Sequence, residues 1–329
     1  MTTTKVLVTG AGGFLGGYIV RDLLASKKYE VYSFSRAKYA KLTEMGVHER
    51  QGDLSNYDDV ENALTGMDAV IHTASMVGMW GRYSDFYKTN VTGTENIIKA
   101  CHKLKIHKLV YTSTPSVAFG SESLCGVNES TPYPVKYLSV YAETKAIAEK
   151  MVLLANNGLF STVALRPHLI FGPGDTNLVP RVIQAARKGK LKIVGDGENK
   201  VDVTYVENAS MAHVMALEKL NSDSPIAGKA YFLGQGPLKL WDFTNEILRR
   251  SGEKPLTKKI SFKLAYSIGF LIEMMLKVIG KYDIHPPMTR FVALQLGKSH
   301  YYDHKNLERD LGFIPRYSVS EGLDKLFSS

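Results

Sequence analysis

Residues 5–20 read KVLVTGAGGFLGGYIV: a short apolar run, a cluster of glycines, and a second apolar run of different period. Val6, Leu7 and Val8 suit a strand buried on both faces, whereas FLGGYIV spaces its apolar residues as a helix does. Between the two, Gly10, Gly13 and Gly16 stand in a GxxGxxG spacing. Gly10 permits a tight turn, Gly13 lets backbone approach a pyrophosphate, and Gly16 lets helix pack closely on sheet. Glycine triplets are common, but a strand, this turn and a helix in succession form the context that dinucleotide binding demands. Gly10, Gly13, Phe14, Leu15 and Gly16 are therefore expected to hold the phosphates of a dinucleotide.

Outward from this stretch the alternation continues. EVYSFSR (30–36), DAVIHTAS (68–75), KLVYTST (108–114) and STVALRPHLI (161–170) are further strand-like runs bounded by turns. Helical patterns separate them, among them DDVENALTG (58–66), VTGTENIIKACHKLKI (91–106) and AETKAIAEKMVLLANN (142–157). Strands joined by helical crossovers make a parallel sheet, so the expected class is α/β: a doubly wound Rossmann fold with a smaller, mainly helical C-terminal substrate domain. Residues 1–175 are assigned to the dinucleotide-binding domain, with a returning segment about 200–235. Residues 176–199 and 236–329 are assigned to the substrate-binding lid.

At 329 residues the chain can bury a large core, and its ordinary composition, 44% hydrophobic and 22% charged, argues against extended disorder. The formal charge of +9 would admit a polyanion as partner, but the Lys and Arg residues are dispersed, so nucleic acid is not expected. Cys101 and Cys125 have no metal-ligand spacing and suit a reducing compartment. MTTTKVLVTG runs directly into a strand without a charged leader, which points to the cytoplasm. The most apolar later stretch, FKLAYSIGFLIEMMLKVIG (262–280), is interrupted by Lys263, Glu273 and Lys277. It reads as an amphipathic helix that shields a pocket or rests on a membrane, not as a span. Peripheral membrane contact and a homodimer stay open.

Other motifs carry chemistry. VYSFSRA (31–37) ends the second strand, where an acidic residue would select NAD by its ribose hydroxyls. Ser35 and Arg36 stand there instead, a pair suited to a 2′-phosphate, so NADP(H) is expected to be preferred and NAD(H) tolerated. In QGDLSN (51–56), Asp53 is placed to accept from an adenine amino group and Leu54 to pack on the ring; a capping turn is the plainer role for that Asp. VYAETK (140–145) puts Tyr141 and Lys145 one helical turn apart. An ammonium beside a phenol lowers its pKa toward the range useful for proton transfer. In KLVYTSTPS (108–116), Ser113 and Thr114 could orient a substrate oxygen. His72, His168, His213 and the pair in HYYDH (300–304) lack a metal-site spacing, and no metal is expected.

TGAGGFLG, GDL, HTAS, NVTGT, YTST, YAETK and RPHLIFGPG follow one another in an order that resembles the extended short-chain dehydrogenase/reductase superfamily. Within it, YTSTPS, ALRPHLIFGPGD, VDVTYVENA and PPMTRF resemble the 3β-hydroxysteroid dehydrogenase/isomerase branch and its bacterial 2-alkyl-3-oxoalkanoate reductase type. The resemblance implies Tyr141 as general acid/base, Lys145 as its activator and ribose ligand, and Thr114 as the substrate-orienting hydroxyl. It places Ala74, Ser75 and Asn90 on the cofactor path and Pro167 beside the nicotinamide. TSTPSVAFG is one residue longer between hydroxyl and glycine than in many relatives, so Ser113, Thr114 and Ser116 compete for the catalytic place. The implied activity is NAD(P)H-dependent interconversion of a secondary alcohol and a ketone on a bulky apolar substrate. The alternatives are nucleotide-sugar epimerisation or dehydration, and a non-enzymatic dinucleotide-sensing regulator.

Overall fold

Side chains of successive strand residues point to opposite faces, and that alternation sorts the core of this protein into two layers. In the computed structural model, which describes residues 3–328, Val6 and Val8 of strand β1 (Thr4–Thr9) pack on one side and Leu7 on the other. Helix α1 (Phe14–Ala25) covers the first side with Leu15, Ile19, Val20 and Leu23. Beyond it run β2 (Tyr29–Ser35), β3 (His48–Gln51), α2 (Tyr57–Leu64), β4 (Ala69–His72), α3 (Gly93–Leu104), β5 (Lys108–Thr112), α4 (Val140–Leu154) and β6 (Ser161–Pro167). Helix α5 (Val206–Lys219) and β7 (Lys229–Leu233) follow. Helices α2, α3 and α4 bury Val60, Ile97, Cys101 and Val152 against the second face, while α5 joins α1 on the first.

The seven strands are parallel, in the order β7-β6-β5-β4-β1-β2-β3. The chain winds outward from β1 through β2 to β3, then returns to β1's other edge with β4. The crevice beyond the carboxyl ends of β1 and β4 is thus the topological switch point, where open α/β sheets bind ligands.

Around that crevice the later chain adds helices α6 (Phe262–Val278) and α7 (Arg290–Gly297). Gly269 lets α6 approach the start of α7, since a Cβ there would meet Thr289 backbone at 2.5 Å. Buried Glu273 then clasps Arg290, accepting from its backbone N–H at 2.6 Å and its guanidinium Nε at 2.8 Å. A four-stranded sheet of Leu124–Val127, Lys200–Val201, Leu238–Lys239 and His300–Tyr302 joins distant segments. Pieces of two to four residues leave no readable period, and His300–Tyr302 of the HYYDH run read for its histidines is a strand of this sheet, with His304 beyond its end. Among the described residues no helix is long and apolar enough to cross a membrane. Met1 and Thr2, which open the N-terminal run read for a leader, lie outside the described residues.

Candidate active site

The glycine turn closes tightly over the end of β1. Gly10 has φ +72°, and a Cβ there would come within 2.7 Å of the Thr73 hydroxyl and 2.9 Å of the Ala74 nitrogen. Gly16 lies against the Gly10 carbonyl, where a Cβ would sit 2.1 Å away. Gly13 is the N-cap of α1 and offers no side-chain cap, so the first amides of that helix are open to an anion. These features fit a dinucleotide: the cradle admits no side chain, and its donors are uncapped. Phe14 stands edge-on to Tyr18, whose hydroxyl donates to the Pro173 carbonyl at 2.8 Å, and Leu15 is buried in the core. Tyr39, which the motifs did not flag, lays its ring on Gly12. An exposed aromatic shortly after the Arg36 position was the available signal.

At the end of β2, Arg36 is exposed, and the Ser35 hydroxyl donates to the Ala37 carbonyl at 2.6 Å. Asp53 uses one carboxylate oxygen for the Ser55 amide and hydroxyl, both at 2.9 Å, which makes a turn ahead of α2, whose cap is Asn56. Its other oxygen lies 3.9 Å from Lys88. The Ser55 amide, with Lys88 and Arg36 nearby, holds the carboxyl below its usual range. Leu54 packs against Gly93 at the start of α3.

A chain of hydrogen bonds fixes the crevice floor. Thr94 donates to the Asn90 carbonyl at 2.6 Å, which leaves its oxygen to accept from His72 Nε2 at 3.0 Å. His72 Nδ1 is therefore bare and accepts from the Thr9 hydroxyl at 2.7 Å, and Thr9 accepts from the Ala74 amide at 3.1 Å. Burial, together with the Lys145 charge, drives His72 down to about 3, so it stays neutral. Asn90, in a π-helical turn (Tyr87–Thr92), grips both backbone groups of Met76 and donates to Thr144 at 3.1 Å. Its amide is thus spent on joining the segment after Ser75 to the helix that carries Tyr141. No period in the sequence announces such a relay.

Helix α4 starts from a Ser139 cap and brings the phenol and the amine to the crevice. Tyr141 is partly buried; burial pushes its hydroxyl up to about 12, and a hydrogen bond with Thr114 opposes the shift. Of the three competing hydroxyls, Thr114 is the one that reaches Tyr141. Ser113 is buried with no partner for its Oγ among the described residues, and Ser116 gives its backbone N–H to Thr114 at 3.3 Å. The Lys145 Nζ donates to the Thr112 carbonyl at 2.6 Å and sits 4.1 Å above the Tyr111 ring. Burial lowers the amine to about 7, and Glu149 pulls it back upward. Burial therefore raises the phenol, against the lowering expected from the sequence.

Glu149 continues the same helix face, fully buried, and takes two hydrogen bonds from Arg166, at 2.9 and 2.6 Å, and one from Tyr133 at 2.7 Å. Arg166 precedes Pro167, which is buried at the end of β6 beside Leu233. His168 donates from Nε2 to His300 at 2.7 Å, because His300 Nε2 is committed to the Gln295 carbonyl. No group of three or more potential metal ligands occurs among the described residues.

A glycine cradle at the switch point, with a phenol, a buried amine and a hydroxyl converging beside it, defines a Rossmann-fold enzyme that works with a nicotinamide dinucleotide. Residues 7–264 match the 3-beta hydroxysteroid dehydrogenase/isomerase family, and the chain belongs to that family. It is 45% identical to a 2-alkyl-3-oxoalkanoate reductase of Stenotrophomonas maltophilia over 99% of both chains. It is 35% identical to the decarboxylating sterol-4-alpha-carboxylate 3-dehydrogenase of Mus musculus, over 99% of this chain and 90% of that one. The UDP-glucuronic acid 4-epimerase of Bacillus cereus, solved with NAD, superimposes with a TM-score of 0.76 at 22% identity, over 99% and 98% of the two chains, and shares the fold. The protein is an oxidoreductase that interconverts hydroxyl and keto groups.

Proposed function

We propose that the protein reduces the ketone of a long-chain 2-alkyl-3-oxoalkanoate, with Tyr141 as proton donor and NADPH as the preferred cofactor. The observation that carries this reading is the Tyr141–Thr114 contact at the crevice mouth, together with relatives that act on 3-oxo acids and on a 3-hydroxysterol acid. Pushed up to about 12, the phenol holds its proton at neutral pH, the state required to protonate an alkoxide as it forms. Thr114 orients the substrate oxygen toward it. Lys145, charged below about pH 7 and beside the Thr112 carbonyl, holds the ribose and favours negative charge on the oxygen that has lost its proton. The bound dinucleotide supplies the hydride.

Exposed Arg36, with no acidic residue at the end of β2, supports the 2′-phosphate of NADP(H) as its partner. Leu271, Met274, Met275 and Val278 on α6 are all at least half exposed, which supports a lipid surface as the resting place of this face. The decisive experiment follows NADPH and NADH oxidation with a synthetic 2-alkyl-3-oxoalkanoate, a 3-oxosteroid and a UDP-sugar, in the parent and Arg36→Ala proteins. Turnover of the oxo acid with NADPH is expected, and Arg36→Ala should bring the two cofactors' KM values together. Cofactor-neutral conversion of the UDP-sugar alone would overturn the assignment.

A further inference from the structure

A cavity of about 790 Å³ opens beside the first turn of α4, bounded by the 79–84 segment, the 136–143 segment and the two lid helices. Leu138 and Val140 line it, the residues on either side of the Ser139 cap, so it adjoins the turn that carries Tyr141. Its walls are unevenly charged. Arg82, Lys136, Lys277 and Arg290 face two carboxylates, Glu143 and Glu273. Glu273 is already committed to Arg290, whose guanidinium Nη2 lies 2.7 Å from its carboxylate. Among the described residues, Arg82, Lys136 and Lys277 have no ion pair or side-chain hydrogen bond. Solvated lysines are ordinary on an open surface, but three unpaired cations around one concavity beside a reaction centre favour an anionic ligand.

We infer that this wall is a carboxylate subsite. Arg82, Lys136 and Lys277, all of which line the cavity, receive the acid group of the substrate. The inference rests on the reduction proposed above and identifies what distinguishes its substrate from a neutral ketone. In a 3-oxo acid one carbon separates the carboxyl carbon from the carbonyl carbon. Anchoring the acid therefore fixes the ketone relative to Tyr141 and Thr114, while the alkyl arms gain only non-directional burial. Arg82 can grip a carboxylate with two parallel N–H donors, whereas the two lysines act as point charges.

The test compares a 2-alkyl-3-oxoalkanoate with its methyl ester, which keeps both alkyl arms and the ketone but loses the charge. The parent protein should favour the acid in kcat/KM. Arg82→Gln and Lys277→Met change exposed side chains, and each should lower the acid-to-ester ratio by about tenfold or more, mainly through the KM of the acid. Vesicles of phosphatidylglycerol form a second arm. If the variants lose vesicle binding and keep the parental acid-to-ester ratio, the cations serve lipid headgroups and the inference falls. Equal use of acid and ester by the parent also overturns it while leaving the reductase reading intact. Failure to reduce either one would remove both.

Discussion

Lys145 is a buried amine whose one hydrogen bond goes to the Thr112 carbonyl, and its position sets a conflict between stability and function. Its folded pKa of about 7 lies below the usual value near 10.4 for an unfolded chain. Between those values the unfolded chain binds more protons than the folded one, so this residue makes stability rise with pH across that window. Below about pH 7 the burial penalty is present in full. Lys145→Met should therefore raise the melting temperature of the cofactor-free protein at pH 6–7, with the gain shrinking toward pH 10, while turnover collapses. Thermal unfolding of both proteins from pH 6 to 10 checks this, and a parallel offset at every pH would contradict the assignment of charge. At this scale helix spacing put Tyr141 and Lys145 on one face and the strand end offered Ser113 and Thr114, because these are local properties, whereas the choice of Thr114 rested on the family resemblance. The sequence could not show that the Lys145 amine donates to the Thr112 carbonyl, since that contact is made by burial in the assembled crevice.

Elements were legible where their period was long. The apolar runs of β1, β4, β5 and β6 are buried on both faces and announce a parallel sheet. Strand β3 is HERQ, a polar edge strand whose place is fixed by its pairing with β2, not by its own pattern. The π-helical turn at Tyr87–Thr92 and the four-stranded minor sheet depend on contacts between remote segments and leave no local mark. Helix α6 shows the reverse case, an apolar pattern whose outward face the fold leaves uncovered. If that face rests on lipid, replacing Leu271 and Met275 together by Gln should abolish co-sedimentation with vesicles. Because both side chains are more than half exposed, stability should change by no more than about 0.5 kcal/mol for each. Parental vesicle binding by the double variant would remove the lipid reading of α6.

At the scale of the whole molecule, the architecture separates two tasks. The parallel sheet ends its strands at one crevice, beside which the cradle and the helix with the phenol and the amine stand, whereas helices α6 and α7 help to line the cavity next to them. Solved nucleotide-sugar enzymes share this frame, so the frame alone leaves the substrate open; the residues lining the crevice and the adjoining cavity must distinguish them. The most direct test of the account follows one labelled hydrogen. The protein is incubated with a 2-alkyl-3-oxoalkanoate and NADPH deuterated at the transferable position, and the product is read by mass spectrometry beside that of Tyr141→Phe. The account predicts one deuterium at C3 of every hydroxy-acid product from the parent protein, and the same product formed about 10²–10⁴-fold more slowly by Tyr141→Phe with NADPH binding retained. An unlabelled product, or parental turnover by Tyr141→Phe, would contradict it.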